Sequence, residues 1–272
     1  MQTNSPEVAA TATTPEPLLL TETLDGVRTL TLNRPQQFNP LSEEMLDALI
    51  DELAACRDDD DVRVLVLGAS GKAFCAGHDL KQMRANHGQD YYQTLFTRCS
   101  ELMRGIVELP VPVIARVQGI ATAAGCQLVA TCDMAVAARS ARFAVSGVNL
   151  GLFCSTPSVA LSRNVARKRA FEMLVTGEFI DAETAVDYGL VNHVADDDAI
   201  DTTIAGLTNS ILGKPRVAIE TGKRMFYKQI EANLEAAYAY AGEVMACNMM
   251  ASDTVEGVDA FIQKRRPTWA RD

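Results

Sequence analysis

Only three histidines occur in this sequence, His78, His87 and His193, and no two stand at metal-ligand spacing, so a metal centre built on histidine is not expected. The seven cysteines, Cys56, Cys75, Cys99, Cys126, Cys132, Cys154 and Cys247, contain no C-x-x-C pair. Their number is odd and they sit in apolar or helical stretches. Reduced thiols in a cytoplasmic protein are therefore expected, rather than a disulfide framework. No apolar run reaches the roughly 18 residues that a membrane span needs. Positive charge is also scarce: 25 Lys and Arg stand against 35 Asp and Glu, a formal net charge of −10. Nucleic acid is excluded as an expected partner, because a phosphate backbone needs a basic face. An anionic small ligand needs only a few local cations and stays open. The first 17 residues, MQTNSPEVAATATTPEP, have no lysine or arginine and no apolar core. Neither a signal peptide nor a transit peptide is expected there, but a disordered leader over residues 1–17.

What is present is 272 residues of ordinary globular composition, 48% hydrophobic, enough for one sizeable domain with an appendage. LLLTETLDGVRTLTLN reads as a hairpin turning at Asp25-Gly26. LSEEMLDALIDELAAC reads as a helix capped by Ser42, with Met45, Leu46, Leu49, Ile50 and Leu53 on one face. Beyond it strands and helices alternate, an α/β pattern, with hints of a repeated ββα unit. From about residue 164 onward the segments read as helices. The expected organisation is a core over 18–205 and a helical region over 206–272.

Two short stretches, FCAGHDL and TAAGCQL, each follow a buried strand, consist mostly of small residues and open a helix. Backbone N–H groups at a helix start lack intrahelical acceptors and carry the positive end of the helix dipole. Side by side, two such turns could hold one oxygen. Tight helix–strand packing selects the same small residues, so either stretch alone is weak evidence.

Several motifs together carry a resemblance: RPQQFNPLSEEM, GKAFCAGHDLKQM, PVPVIARVQGIATAAGCQLVATCDMAVA, FAVSGVNLGLF, LVTGEFIDAETAVDYGLVNHV and FIQKRRPTW. The chain resembles the crotonase (enoyl-CoA hydratase/isomerase) superfamily from about residue 18 to 270. That resemblance implies a spiral of ββα turns, with a helical C-terminal part that builds homotrimers, often paired into hexamers. It implies an acyl-CoA ligand of fatty acid metabolism lying across the two loops, with no further cofactor and no metal. The thioester oxygen would be held by two backbone N–H groups, which fall on His78 and on Ala124, where the family usually has glycine. The nucleotide stretch matches Phe38 and Pro40 with Ala76, Gly77, His78, Asp79 and Leu80. Ile120 opens the second loop, Lys81 falls where a family lysine approaches the CoA phosphates, and Lys264 with Arg265 and Arg266 forms a basic end near the nucleotide.

Two expected acids are missing. The family's paired glutamates match Gln127 and Gly147, and no aspartate stands near Ser155. General acid–base catalysis needs a group that exchanges a proton near pH 7. Gln127 can orient a water or a thioester but cannot deprotonate anything. Cys154 and Ser155, at the entry to a helix, are substitutes to weigh; a helix start can lower a thiol pKa, although a buried, inert cysteine is the commoner case. Asp133 is expected to cap a turn, Asp58 to Asp61 to form a solvated loop, and the methionines of MACNMM to pack on a helix face or a subunit contact. Three functions stay open: an acyl-CoA-binding member of this family without the acid pair, a thioester hydrolase or decarboxylase using the same loops, and a non-catalytic acyl-CoA scaffold.

Overall fold

In the computed structural model, which describes residues 16–269, Asp25 and Gly26 stand at φ 49° and 81° and turn β1 (Leu19–Leu24) into β2 (Val27–Leu32). Two left-handed residues give a turn whose twist matches the paired strands, and the antiparallel register follows, Leu24 facing Val27. The expected leader lies outside the described residues, except for Glu16 and Pro17, whose carbonyls accept from Arg34. Ser42 caps α1 (Glu43–Arg57) by accepting from the Met45 N–H, and Met45, Leu46, Leu49 and Leu53 are buried as the 3.6-residue spacing predicts.

The spiral then develops from β3 (Val64–Ala69), β4 (Ala73–Cys75), α2 (Leu80–Ala85), α3 (Gln89–Glu108), β5 (Val113–Val117), β6 (Ile120–Thr122), α4 (Ala124–Thr131), β7 (Met134–Ala138) and β8 (Arg142–Ala144). Successive strands alternate between two sheets. One sheet has the order β1-β2-β3-β5-β7-β10, with β10 at His193–Ala195, and the other β4-β6-β8-β9, with β9 at Ile180–Asp181. The ββα repeat hinted at by the sequence is thus realised three times, a strand in each sheet and then helix. Within each sheet the central strands pair in parallel.

After β8 come α5 (Ser155–Asn164), α6 (Arg167–Thr176), β9 (Ile180–Asp181), α7 (Ala182–Tyr188), β10 (His193–Ala195), α8 (Ile200–Leu212), α9 (Arg216–Ile230), α10 (Leu234–Met249) and α11 (Ser252–Ile262). Here the reading of a purely helical region after residue 164 needs correction. β10 pairs in parallel with β7 and forms the edge of the larger sheet, and β9 pairs antiparallel with β8. Three and two residues are too few to display a period of two. The expected boundary at residue 205 falls inside α8.

Side chains on the larger sheet divide by alternation. Leu65, Leu67, Val113, Ala115, Val117, Ala135 and Ala137 join the main core between the sheets. Val64, Val66, Ile114, Val136 and Ala138 face outward and are covered by Ile200 and Ile204 of α8. The acidic stretch after α1 is more than a solvated loop, because Asp59 pairs with Arg28 at 2.6 Å and Asp60 with Arg216 at 3.1 Å.

A buried charge pair fastens the C-terminal helices to this core. Lys223 of α9 donates to the Ile106 and Val111 carbonyls, each at 2.9 Å, and to Asp133 Oδ2 at 2.6 Å, the two side chains being only 6% and 13% exposed. Asp133 also accepts from the Val113 N–H at 2.6 Å, so it joins β5 to the turn before β7, in keeping with its expected structural role. Burial pulls the Lys223 ammonium below its ordinary value while Asp133 opposes the shift. Burial, then the same carboxylate, pushes the Tyr227 phenol up. Lys223→Met should therefore leave a buried carboxylate and two carbonyls short of a donor and lower stability by about 3–5 kcal/mol. Denaturant unfolding checks this; a loss below about 1 kcal/mol, the scale of an exposed pair, would mean that α9 is held by its apolar contacts alone.

Candidate functional site

The two small-residue loops meet. The first runs from the end of β4 to the start of α2 and the second from β6 into α4. Gly77 stands at φ +94°, and a Cβ there would lie 3.0 Å from the Ala123 Cβ, 3.3 Å from the Thr122 carbonyl oxygen and 3.4 Å from the Ala124 nitrogen. Gly77 is required by both its backbone conformation and this contact. At Gly125 a Cβ would overlap the Cys75 carbonyl, so the first turn of α4 also presses against β4.

The opening of α4 is strained. Ala123 has φ 51° and ψ −121°, a combination that disfavours any residue with a Cβ and costs roughly 1–3 kcal/mol. Its N–H donates to the Ala144 carbonyl at 3.0 Å, and its own carbonyl accepts from the Gln127 N–H at 3.0 Å, so β8 and α4 hold it from both sides. Among the described residues, no acceptor meets the backbone N–H of Ala124 or that of His78. The arrangement offers two unpaired donors on abutting turns, one of them at a helix start.

Asn39 supports the first loop, and the sequence reading does not single it out. It is fully buried at φ 51°, its Nδ2 donates to the Ser70 and Ala73 carbonyls at 2.8 Å, and its Oδ1 accepts from the Arg34 N–H at 2.8 Å. A turn-forming asparagine that tolerates left-handed φ, in RPQQFNP, was the available signal. Next to it, Pro40 is buried and Phe38 is exposed, its carbonyl accepting from the half-buried Ala76 at 3.0 Å. The Leu41 N–H donates to the Gly77 carbonyl at 2.8 Å. Asp79 caps α2 by accepting from the Lys81 and Gln82 N–H groups. Leu80, Lys81 and Ile120 are exposed, and no carboxylate pairs with Lys81 among the described residues.

The His78 side chain turns inward rather than to the surface. Its ring packs edge-on against Phe96 with centroids 5.6 Å apart, and Nδ1 lies 3.3 Å from the Leu41 carbonyl. A carbonyl only accepts, so Nδ1 carries the proton and Nε2, buried and without a partner, is left as a bare acceptor. Burial pulls the imidazole below its ordinary value, which favours the neutral form.

Gln127 is buried, 5% exposed, and its Oε1 has no partner among the described residues. Gly147 sits in a short 3-10 turn, Ser146–Leu150, where Ser146 Oγ lies 2.8 Å from Thr122 Oγ1 of β6. The Gly147 N–H donates to Cys154 Sγ at 3.3 Å. A Cβ at 147 would stand 2.5 Å from the Leu152 carbonyl oxygen and 2.7 Å from Cys154 Sγ. The thiol and the loop carbonyl already fill the room a longer side chain would need. Cys154 is not an activated thiol either: it is buried, and burial pushes it up against the opposing effect of the Gly147 N–H. Ser155 is exposed and its hydroxyl lies 3.4 Å from the Phe153 carbonyl.

The basic end is not joined to the loops. Lys264 lies beyond α11 at φ 55°, and Arg265 is bound to Glu256, Nη1 to Oε1 at 2.5 Å and Nη2 to Oε2 at 2.7 Å. Among the described residues, no hydrogen bond or ion pair links this segment to either loop of the same chain. Instead Trp269 donates to the Gly213 carbonyl at 3.1 Å, folding the end back on the turn between α8 and α9.

Comparison with known proteins agrees with this architecture. A family model described as enoyl-CoA hydratase/isomerase matches residues 22–272. The rat (Rattus norvegicus) enoyl-CoA hydratase domain-containing protein 3, mitochondrial, is 44% identical over 253 residues, which are 93% of this chain and 84% of that protein. An enoyl-CoA hydratase structure from Mycobacterium smegmatis has a TM-score of 0.92 at 62% identity and covers 93% of this chain and 99% of its own. The structure of human enoyl-CoA hydratase domain-containing protein 3 has a TM-score of 0.90 at 43% identity, with 93% and 100% covered. The resemblance expected from the motifs is found over the expected span. The word mitochondrial in the rat protein's name describes that protein, and it lends no support to the cytoplasmic location expected here. No helix among the described residues is long and apolar enough to cross a membrane.

The crowding at Gly147 makes a definite forecast. Gly147→Ala should destabilise the fold by about 1–3 kcal/mol, as overpacking does, because backbone as well as the thiol must move. Cys154→Ala in the same chain should recover only part of this, since the Leu152 carbonyl remains. Thermal unfolding of the single and double variants measures it, and a Gly147→Ala protein as stable as the parent would show that the 146–154 turn is free to repack.

Proposed function

This chain belongs to the enoyl-CoA hydratase/isomerase family, and from that membership we propose that it binds acyl-CoA, holding the thioester oxygen between the N–H groups of His78 and Ala124. The observation that carries the reading is the pair of unpaired N–H groups on two abutting loops. A polarised thioester oxygen is the kind of acceptor that such a pair favours, and the α4 dipole adds to the attraction. In this reading Phe38, Pro40 and the 76–80 stretch take the nucleotide end of CoA; the Phe38 carbonyl accepting from the Ala76 N–H and the Leu41 N–H donating to the Gly77 carbonyl hold the two segments together. Lys81 and Lys264 supply cations for its phosphates, Lys264 from a neighbouring subunit.

Hydration is not the proposed reaction. Neither Gln127 nor Gly147 has a titratable group, and the loss of acid–base assistance is worth roughly 10²–10⁴-fold in rate. His78 Nε2 is buried against α3 and the Cys154 thiol is held protonated by burial, so neither replaces the acids. A thioester decarboxylase or hydrolase using the same two donors is the second reading. Loss of carboxylate needs the oxygen stabilised and no base, and that keeps it in view.

Assembly into homotrimers or hexamers is part of the reading. Phe226, Ile230, Leu234, Tyr238, Met245, Met249 and Phe261 on α9, α10 and α11 are all about half exposed or more in the single chain. Apolar surface of that extent is the mark of a face that another subunit covers.

Titration calorimetry with CoA, butyryl-CoA and crotonyl-CoA should give binding that is stronger for the thioesters than for CoA. Absence of binding at millimolar ligand would sink the proposal. Crotonyl-CoA hydration should stay near background; turnover at about 1–10³ s⁻¹, typical of enzymes, would show that another group supplies the proton. Sedimentation should show trimers or hexamers at micromolar protein, where a monomer would count against the assembly.

A further inference from the structure

The outward face of the larger sheet carries a cation in an apolar setting. Val66 and Ile114 are buried there with Ile204 of α8, and Arg116 follows Ile114 on the same face of β5. The residue on β3 that comes up to Arg116 is Gly68, where a Cβ would lie 3.5 Å from the Arg116 Cδ. Thr31 of β2 is the register partner of Gly68 on the other side. With no side chain at 68, a trough of about 390 Å³ lies over the sheet, lined by Thr29, Thr31 and Arg116 and walled by Ile204 and Thr208 of α8. That volume suits a small organic ligand.

The trough holds donors without acceptors. Arg116 uses Nε and Nη2 on the Asp201 carboxylate, at 2.5 and 2.9 Å, and no described residue meets its Nη1. The half-buried Thr29 and Thr31 hydroxyls make no hydrogen bond among the described residues. Thr208 differs, since its hydroxyl donates to the Ala205 carbonyl at 3.1 Å. A tie between α8 and the sheet accounts for the Arg116–Asp201 pair, but it needs neither the gap at Gly68 nor two idle hydroxyls beside it. Half-buried donors of this kind find their partner in a ligand or in water.

We infer that this trough is a second ligand site, which binds a short aliphatic carboxylate with its charged end on Arg116 Nη1 and the Thr29 and Thr31 hydroxyls. A carboxylate only accepts, and its two oxygens have lone pairs enough for three donors. The aliphatic chain lies against Val27, Val66 and Ile204, the apolar part of the lining. An amine brings donors where acceptors are wanted, and a dianion such as phosphate meets stronger repulsion from Asp201. The site is separate from the two small-residue loops, which follow strands of the smaller sheet, because the main core lies between that sheet and this outward face. It does not rest on the acyl-CoA reading.

The test titrates hexanoate into the full chain by calorimetry, with 1-hexanol as the uncharged control. Hexanoate should bind with a dissociation constant of about 1 mM or tighter, and hexanol at least about tenfold more weakly. Gly68→Val fills the trough while leaving the Arg116–Asp201 pair in place. Valine suits a strand, and a Cβ at 68 makes only ordinary contacts, so this variant should fold and lose about tenfold or more in hexanoate affinity. Arg116→Leu should lose as much. Asp201→Asn removes a neighbouring like charge and should tighten hexanoate by about fivefold, the scale of one such contact in water. Thermal unfolding checks that each variant is folded. No hexanoate binding in the native protein, binding that Gly68→Val leaves unchanged, or equal affinity for hexanol would overturn the inference.

Discussion

The closeness of two backbone segments governs the site. β4 and β6 are short strands of the smaller sheet, and the helix following β6 begins directly against the chain leaving β4. Gly125 touches the Cys75 carbonyl, and Gly77 touches Ala123 and Ala124, so side chains at either position would force the loops apart. Strain at Ala123 is tolerated because hydrogen bonds from both sides fix it. Asn39 then secures the first loop from behind by tying residues 34, 70 and 73 together. The orientation of the two unpaired N–H groups is a consequence of these contacts, not of any side chain that would react.

Around this centre Gln127 and Gly147 differ in kind. Gln127 has the shape of a glutamate without its charge, a buried group that can bind but not titrate. Gly147 has no side chain, and the space beside it is filled by the Cys154 thiol and the Leu152 carbonyl. The first position is limited by its chemistry and the second by its packing. A carboxylate at 127 would replace a side chain of nearly the same shape, whereas at 147 it needs the following loop to move.

Much of the fold was legible because its signals are local. The Asp25-Gly26 turn, the Ser42 cap, the apolar face of α1 and the two small-residue helix openings follow from turn chemistry, capping and periodicity. The strands β9 and β10 were not legible, being too short for any period to show. Asn39 and Lys223 were missed for another reason: a buried asparagine in a loop and a buried lysine in an amphipathic helix look like ordinary surface residues until the chain is folded. Lys223 meets the carbonyls of Ile106 and Val111, more than one hundred residues earlier, and local sequence carries no trace of that contact.

The sequence by itself determined the α/β alternation, the lack of a titratable side chain at 127 and 147 and the two glycine-bearing loops, since each depends on residue type or on neighbours within a few positions. Only the tertiary structure decided that the loops abut and that Ala123 opens α4 in a strained conformation. It also decided that the His78 ring turns inward, that Cys154 stands in the room a side chain at 147 would need, and that Gln127 Oε1 is buried without a partner among the described residues. Those facts depend on distances between segments far apart in the chain, which are set by how the two sheets and their helices pack.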